Sequence, residues 1–407
     1  MRDPFSRRNF LARSFALGCS AAASPLLTPI SLAAAPGENR LVVIILRGAM
    51  DGLDLLRPVG DPDFAKLRQN LAPGGLPLDN FFVLHPAMAQ MLPLWQAGEL
   101  AFVPATSTPY RDRRSHFDGQ DHLEAGTVGT LPIGVARTGW LNRLLTLLPA
   151  VDARTAFAVG RERMLILEGS APMTQWEPGT ELELSPQSRL LLEHLFAADP
   201  LFAEAGMTAL DMTGAALSDL EALEDHDDAS MMAMMAEDMT PSAGDGDALA
   251  AYVAEQLRGV TRIASFSLSG WDTHQNQART ITPALERLQA AILTLKAGLG
   301  PDWSRTTVMA MTEFGRTMHE NGTQGTDHGT GGAMLLAGGA LRGGRMFGGW
   351  PGLSEADMYA GRDLMPTRDI RAYAGWAMRD LFGLRKSDIE KTVFPGLDAG
   401  DTPRLIL

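Results

Sequence analysis

The stretch LVVIILRGAMD, residues 41–51, joins an uninterrupted aliphatic run to a short loop that contains a glycine and ends in an aspartate. Aliphatic runs without polar alternation are typical of strands that are buried on both faces of a parallel sheet. Gly48 allows the backbone after such a strand to approach a ligand closely. The stretch therefore predicts a buried strand whose carboxyl end presents Asp51.

Further apolar runs continue this pattern along the chain, and helical patterns separate them. Strands that are buried on both faces and alternate with helices are typical of a parallel sheet with helices on both sides. No repeat of fixed period is present in the sequence. We therefore predict an α/β fold with a mostly parallel central sheet sandwiched by helices. The further runs are residues 99–106, 262–268, 306–312 and 332–338, and the helical patterns are residues 86–97, 139–149, 187–197, 247–259, 280–298 and 367–383.

The N-terminus has the features of a twin-arginine export signal over residues 1–35. Arg7 and Arg8 precede a moderately apolar stretch that ends in small residues. Because Arg13 and Pro25 interrupt this stretch, it is too short for a membrane span of about 20 residues. We therefore expect a periplasmic or secreted protein with no transmembrane segment in its mature chain.

Cys19 is the only cysteine, and it lies inside the predicted signal, where lipid attachment is a minor alternative. A mature chain without a thiol excludes disulfides, thiolate catalysis and zinc–thiolate sites. Removal of the signal also removes four arginines and one aspartate, so the formal net charge changes from −13 to −16. Such an acidic chain opposes nucleic acid and anionic lipid as partners, but it tolerates metal cations.

Residues 36–407 are enough for one large α/β domain, which we predict as a single unit. Within it, residues 203–247 differ from the rest because they are rich in methionine, alanine and acids and contain no strand pattern. We interpret them as a helical or mobile insertion. A surface of methionines for a soft metal or an apolar ligand is a second reading of the same composition.

Acids and histidines follow or precede the predicted strands at positions that the topology brings to one edge. Because the carboxyl ends of parallel strands meet at one edge of a sheet, these side chains form a candidate site. Carboxylate and imidazole ligands without sulfur suit Zn²⁺, Mn²⁺, Fe or Mg²⁺, which favours metal-assisted hydrolysis. The candidate metal ligands are Asp51, Asp272, His274, Glu313, Asp327 and His328.

Hydroxyls and arginines occur beside these candidate ligands. Ser115 and His116 stand at a predicted helix start, where backbone amides favour an anion, so both are candidate catalytic residues. A helix cap explains Ser115 equally well. The competing candidate nucleophiles at a strand end are Thr106, Ser107 and Thr108. The candidate substrate-binding residues are Arg47, Arg114 and Arg316, and each of them could equally neutralise a ligand carboxylate.

Five phrases of the sequence resemble the DUF1501 family of exported bacterial proteins of uncharacterised activity, and the resemblance covers nearly all of residues 40–400. That family is similar in turn to the alkaline phosphatase and sulfatase superfamily, through the order of its motifs. The resemblance implies an alkaline phosphatase-like α/β domain. The phrases are LRGAMDGLDLLRP, RSHFDGQDHLEAG, GWDTH, MTEFGRTM and GTDHGTGGAMLLAGGALRGG.

The superfamily resemblance also implies roles for individual residues. Asp51 matches the acid after the first strand, Asp272 with His274 matches a later ligand pair, and Glu313 matches the acid after the next strand. His328 matches the final histidine, with Asp327 as an additional or supporting ligand. An alternative alignment matches the string TDHG, residues 326–329, to the Asp-His pair of the superfamily. The resemblance departs at Phe314, where the superfamily has a histidine.

These observations predict an exported, metal-dependent hydrolase of small phosphate or sulfate esters. Two metal ions about 3.5–4 Å apart would bind the ester and activate the nucleophile. The alternative is a non-catalytic metal-binding scaffold of the same fold that serves an exported protein partner. The departure at Phe314 favours this scaffold, whereas the arginines and hydroxyls favour the enzyme.

Overall fold

The computed structural model of the chain describes residues 37–71, 74–111, 113–127, 137–160, 164–176, 195 and 245–407. The predicted export signal, residues 1–35, lies outside the described residues. So do residues 203–244 of the predicted insertion and, apart from residue 195, the predicted helix 187–197.

A nine-stranded mixed sheet forms the centre of the described part. All five apolar runs of the sequence are strands in it. Across the sheet the strands are β11 (Arg345–Met346), β5 (Leu100–Ser107), β10 (Gly332–Ala337), β9 (Thr306–Thr312), β1 (Arg40–Leu46), β8 (Ile263–Leu268), β6 (Ala156–Val159) and β7 (Thr174–Trp176), and β12 (Arg368–Asp369) also pairs with β5. A small separate sheet contains β2 (Leu56–Arg57), β4 (Val83–Leu84) and β3 (Leu76–Pro77).

The direction of strand β10 decides what lies at the functional edge. Strands β9, β1, β8, β6 and β7 are mutually parallel, whereas β10 is antiparallel to both of its neighbours, β9 and β5. The loop that precedes β10 therefore meets the loops that follow β1, β8 and β9. Leu46 is in register with both Leu268 and Thr312, so these three strands end level with one another.

Helices cover the sheet, as the sequence predicts. The pattern at residues 280–298 is a long helix, and the other described helical patterns are shorter helices, partly of 3₁₀ form. The α-helices are α1 (Gly52–Leu55), α2 (Phe64–Leu67), α3 (Leu92–Gln96), α4 (His116–Ala125), α5 (Trp140–Leu145), α6 (Asp245–Arg258), α7 (Gln277–Leu299), α8 (Ile370–Phe382) and α9 (Lys386–Asp388); the 3₁₀ turns are Pro86–Met91, Leu165–Leu167, Gly300–Arg305 and Glu355–Asp357, and a π turn spans Ile389–Val393.

The side chains of strand β1 pack alternately into two hydrophobic cores, one on each face of the sheet. Leu41, Val43 and Ile45 point to the layer that contains α5 and α8, whereas the alternate residues Val42 and Ile44 point to the layer of α6 and α7. All of these side chains are fully buried, and burial of each contributes about 1.5–3 kcal/mol. The two apolar layers explain the absence of polar alternation and confirm a mostly parallel sheet sandwiched by helices. Within the described residues no helix has the length and apolar character needed to cross a membrane.

Candidate metal centre

Three histidines and one aspartate converge at the edge of the sheet. His116 is the first residue of α4, Asp272 and His274 lie in the loop after β8, and His328 lies in the loop before β10. We call these four residues the metal centre. They come from three segments that are far apart in sequence, and the antiparallel direction of β10 brings the third segment to the other two.

Three of these residues, His116, Asp272 and His328, bring their ligand atoms within 4.8 Å of one another and form a candidate set for one ion, with His274 beside it. His274 Nε2 lies 3.0 Å from Asp272 Oδ1, and His328 Nε2 lies 3.2 Å from the same oxygen. The two Nε2 atoms are 3.0 Å apart. His116 Nε2 lies 3.5 Å from Asp272 Oδ2. Metal–nitrogen bonds of about 2.0–2.1 Å place tetrahedral ligands roughly 3.3 Å from each other, which matches this set.

Each histidine of the metal centre has an acceptor oxygen next to its Nδ1 atom. In the neutral imidazole a proton on Nδ1 leaves the lone pair on Nε2, so each acceptor selects the tautomer whose Nε2 binds a metal. The Nδ1–oxygen distances are 2.8 Å from His116 to Glu313 Oε1, 3.4 Å from His274 to Asp327 Oδ1, and 3.0 Å from His328 to the Arg114 carbonyl.

The residues therefore fit a divalent metal ion. The Nε2 atom of His116 is buried and, among the described residues, has no hydrogen-bond partner of acceptable geometry. Two imidazole Nε2 lone pairs 3.0 Å apart, at His274 and His328, also need a shared cation or a proton between them. Nitrogen and carboxylate ligands suit Zn²⁺, Mn²⁺ and Fe better than a calcium site.

The electrostatics of these residues follow from the same contacts. Burial raises the pKa of the Asp272 carboxyl, but His116, His328 and Arg316 outweigh it and hold that pKa well below its usual range. The carboxylates of Asp272 and Glu313 raise the pKa of His116 to about 9, against the opposing effect of burial. A metal ion that binds here would have to displace a proton from His116.

Glu313 and Asp327, both predicted as metal ligands, support histidines of the metal centre. Glu313 is fully buried, and its Oε1 also accepts hydrogen bonds from the Gly48 and Ala49 amides at 3.0 and 3.1 Å. Asp327 is half exposed, and its Oδ1 accepts a hydrogen bond from Asn321 Nδ2 at 3.0 Å. That hydrogen bond lowers the pKa of Asp327.

Asp51, the remaining predicted ligand, lies outside the metal centre. It is buried, and its Oδ2 lies 2.6 Å from Arg68 Nη1 and accepts a hydrogen bond from Gln277 Nε2 at 2.7 Å. Its Oδ1 caps α1 by accepting from the Leu53 amide at 3.0 Å. Burial raises the pKa of Asp51, but the Arg68 guanidinium outweighs it, so that this pKa is lowered overall.

The predicted substrate-binding arginines lie in three different environments. Arg316 is buried and donates to Asp272 Oδ1 at 2.7 Å and to four backbone carbonyls, so it fixes the loops around the metal centre. Arg47 lies 2.8 Å from Glu124 Oε1. The Arg114 side chain is 41% exposed and borders the metal centre.

The predicted nucleophiles are engaged by the backbone. Ser115 Oγ accepts a hydrogen bond from the Asp118 amide at 3.4 Å, so this residue caps α4. The hydroxyls of Thr106, Ser107 and Thr108 are buried, and each donates to a backbone carbonyl at 2.9–3.2 Å.

Glycines in the string GTDHGTGG allow its loop to press against the neighbouring loops. A Cβ atom at Gly329 would lie 2.3 Å from the Arg316 carbonyl carbon, and one at Gly325 would lie 2.3 Å from the His274 carbonyl carbon. Side chains at these positions would push the two loops apart. The glycines around the Asp-His pair therefore serve the close backbone contact that places His328 beside His274.

Phe314 occupies the position at which the resemblance implies a histidine. Its ring is buried and stacks on His116, with ring centroids 5.3 Å apart. Sequence reasoning missed three residues that hold the predicted ligands in place. Arg68 and Gln277 bind Asp51, and Asn321 binds Asp327. The string GWDTHQNQ that contains Gln277 was the one available signal, because amides beside ligand residues often orient them.

The solved structures that are similar to the chain include two of low identity. The crystal structure of Ps i-CgsB in complex with k-i-k-neocarrahexaose has 8% identity and a TM-score of 0.41, covering 86% of this chain and 74% of that chain. A mutant of TAB5 alkaline phosphatase with Mg bound has 13% identity and a TM-score of 0.31, covering 75% of this chain and 91% of that chain. No curated protein matches the chain in sequence.

The family comparison covers more than half of the chain. A family model described as a protein of unknown function, DUF1501, matches residues 104–383. This range includes His116, Asp272, His274 and His328. The chain belongs to the DUF1501 family.

Proposed function

We propose that this protein is an exported, metal-dependent hydrolase of phosphate or sulfate esters. The observation that carries this proposal is the convergence of three imidazole Nε2 atoms on the Asp272 carboxylate, each imidazole having an acceptor at Nδ1. Supporting acceptors of this kind are typical of histidines that bind metal ions. Export rests on the sequence of residues 1–35 alone.

The exposure of the metal centre favours catalysis over a purely structural role. Structural metal sites are closed by protein ligands, whereas catalytic sites keep a position open. The side chains of Asp272 and His274 are 47% and 38% exposed, so substrate can reach this face of the site. A divalent metal ion bound there would supply a Lewis acid for an ester oxygen.

The residues of the chain then hold the reacting groups in place. Glu313 fixes His116 from the buried side, and Arg316 fixes Asp272 through Oδ1. Because Ser115 caps its helix and the strand-end hydroxyls donate to carbonyls, we propose solvent water as the nucleophile. Ser115→Ala should therefore retain turnover of any ester that the wild type hydrolyses.

A non-catalytic metal-binding scaffold with an exported protein partner is the second candidate. The packing of Phe314 on His116 favours it, because a phenyl ring fills the place of an additional ligand. Glu313 and Asp51 are already bound by protein groups, which favours one metal ion over two. The two candidates share the metal centre and differ in turnover.

Elemental analysis and an ester panel separate these candidates. Protein purified without chelator should contain about one equivalent of metal, and Asp272→Asn should contain far less while remaining folded. Hydrolysis of an aryl sulfate or aryl phosphate that disappears in Asp272→Asn supports the enzyme. Full metal loading without turnover on the panel supports the scaffold, and wild-type protein that binds no Zn²⁺, Mn²⁺ or Fe²⁺ contradicts both.

A further inference from the structure

Two arginines share one buried carboxylate next to the metal centre. Asp363 is fully buried; its Oδ1 accepts from Arg362 Nη1 at 2.9 Å, and its Oδ2 lies 3.4 Å from Arg114 Nη2. Thr330 Oγ1 donates to the same Oδ2 at 2.8 Å. We call Arg114 and Arg362 the arginine pair, and Asp363 is the carboxylate that they share. A buried carboxylate that holds two guanidiniums fixes their positions with little freedom.

Both arginines of the pair contact His328 directly. The Arg114 carbonyl lies 3.0 Å from His328 Nδ1, and Arg362 Nη1 donates to the His328 carbonyl at 2.9 Å. Arg114 adopts a positive φ of 51°, a conformation that costs free energy for a residue with a side chain. This conformation directs its carbonyl to His328 while its side chain reaches Asp363. The arginine pair is therefore part of the border of the metal centre.

The guanidiniums of the pair keep unused donors. Within the described part of the chain, the hydrogen bonds of the Arg114 and Arg362 side chains are those to Asp363 and to the His328 carbonyl. Their side chains are 41% and 35% exposed. Arg316 is the contrast, because it is fully buried and donates to the protein from all three of its nitrogens. Free N–H groups on partly exposed guanidiniums are suited to oxygens of an incoming anion.

The charges around the metal centre limit what kind of anion fits. With a divalent ion bound and the imidazoles neutral, the ion and the Arg316 guanidinium would balance the carboxylates of Asp272, Glu313 and Asp327. The arginine pair contributes one net positive charge, because Asp363 neutralises one of its two guanidiniums. The charge left for a ligand is therefore a single positive one. A monoanion would neutralise that charge, whereas a dianion would leave a net negative charge, and the cost of desolvation grows with the square of the ligand charge.

We infer that Arg114 and Arg362, fixed by Asp363, form an anion-binding subsite that selects tetrahedral esters carrying a single negative charge. Such esters are sulfate monoesters and phosphodiesters, and the disfavoured class is the doubly charged phosphate monoester. This inference rests on the proposed function, because it names the substrate class of the same site. It makes Arg362 a specificity-determining residue that the sequence did not indicate.

Binding of two non-hydrolysable probes tests the inference without turnover. Benzenesulfonate and phenylphosphonate have the same ring, and at pH 8.5 they carry one and two negative charges. Calorimetry on the metal-loaded wild type should show benzenesulfonate binding about tenfold more tightly, a difference of about 1.4 kcal/mol. Tighter binding of phenylphosphonate overturns the inference.

A charge-matched pair of variants assigns the effect to the subsite. Arg362→Gln should weaken benzenesulfonate binding about tenfold and leave the metal content unchanged. Arg113→Gln is the control, because Arg113 is 75% exposed, lies 3.9 Å from Asp118 and makes no contact with Asp363 in the described structure. Equal weakening in both variants would show a general charge effect and would overturn the subsite.

Removal of the shared carboxylate should change the preference. Asp363→Asn leaves both guanidiniums charged, so phenylphosphonate should gain affinity relative to benzenesulfonate. If this variant does not fold, the comparison of Arg362→Gln with Arg113→Gln decides alone.

A wild type that binds benzenesulfonate more tightly but hydrolyses no ester contradicts the hydrolase and keeps the subsite. Turnover of aryl phosphate with tighter phenylphosphonate binding contradicts the subsite and keeps the hydrolase. If the binding experiments support the subsite, turnover of an aryl sulfate or of a bis-aryl phosphodiester identifies which singly charged ester is the substrate.

Discussion

Two polar clusters lie at the same edge of the sheet, and they differ in whether their nitrogen and oxygen atoms are bound by other groups of the protein. One is the metal centre of His116, Asp272, His274 and His328. The other, which we call the Asp51 cluster, contains Asp51, Asp54, Arg57, Arg68 and Gln277 and is buried throughout. Both clusters contain carboxylates of the kind that the sequence predicts as metal ligands. Of the two, only the metal centre has a buried ligand atom, His116 Nε2, without a hydrogen-bond partner in the described structure.

Inside the Asp51 cluster each charge has its counter-charge. Arg68 pairs with Asp51 at 2.6 Å, and Arg57 pairs with Asp54 at 2.8 Å. Gln277 Nε2 donates to both carboxylates, at 2.7 Å to Asp51 and 2.9 Å to Asp54, and so joins the two pairs. The comparison teaches that residue type alone suggests both sites, whereas the buried His116 Nε2 atom, which has no hydrogen-bond partner in the described structure, distinguishes the metal centre from the Asp51 cluster.

The largest effect should come from breaking the Asp51 cluster. Asp51→Ala leaves the Arg68 guanidinium buried without its partner, which costs about 3–5 kcal/mol of unfolding free energy. Urea unfolding measures this loss. Asp63→Ala is the control, because its pair with Lys66 at 2.6 Å is largely exposed on the lysine side and should cost less than about 1 kcal/mol.

The same Asp51→Ala protein should keep its metal when it is studied below its unfolding transition. Asp51 would then stabilise the fold without binding the ion. Loss of metal from folded Asp51→Ala would restore Asp51 to the ligand set that the superfamily resemblance implies.

Asp272→Asn should have the next largest effect, and of the opposite kind. The asparagine keeps an oxygen for Arg316 but removes the charge that binds a metal, so metal affinity should fall by more than about 100-fold, beyond the loss typical of supporting residues. Competition with a chelator measures the affinity. The exposed Asp121→Ala is the matched control and should bind metal normally. Normal metal affinity in Asp272→Asn would remove the central residue of the site.

Asp327→Asn should weaken metal binding by a smaller factor, about 10–100-fold. Its oxygen lies beside His274 Nδ1 and is itself held by Asn321. Asn321→Ala should act in the same direction through Asp327, with less effect. Chelator competition on the two variants and the double variant checks this order, and independent additive losses would contradict a single chain of contacts.

Much of the fold could be predicted because its signals are local. An aliphatic run such as residues 41–46 contains its own evidence for burial on both faces. Strands β6 and β7 were missed because they span four and three residues, too few for a pattern. The direction of β10 was not predictable from its own residues, since it depends on pairing with β5 and β9.

The metal centre was predictable in its members and less so in their arrangement. Asp272, His274 and His328 stand out in sequence because they follow or precede apolar runs. The proximity of His116 Nε2 to Asp272 depends on where α4 begins, and the engagement of Asp51 depends on Arg68 and Gln277, which are 17 and 226 residues away. Contacts of that separation leave no local pattern.

The smallest expected effect concerns His85 at the border of the Asp51 cluster. Its Nε2 lies 4.0 Å from Asp54 Oδ1, and its Nδ1 accepts a hydrogen bond from the Ala87 amide. Burial lowers the pKa of His85 to about 4, with Asp54 opposing this effect and Arg57 adding to it. The unfolded chain binds this proton near pH 6.5, whereas the folded protein binds it only near pH 4. Stability from the neutral imidazole is therefore complete above pH 6.5 and is lost as the pH falls towards 4.

His85→Asn should flatten that part of the stability profile, because asparagine keeps an acceptor for the Ala87 amide but does not titrate. Urea midpoints at several pH values between 7.5 and 4.5 measure the profile. Both proteins should carry Asp272→Asn, so that release of metal at low pH contributes to neither. If the two profiles have the same slope, folding does not lower the pKa of His85, and the Asp51 cluster then has solvent access that its burial contradicts. A flattened slope would show that the Asp51 cluster stays dry through this pH range, whereas the metal centre at the same sheet edge is open to solvent.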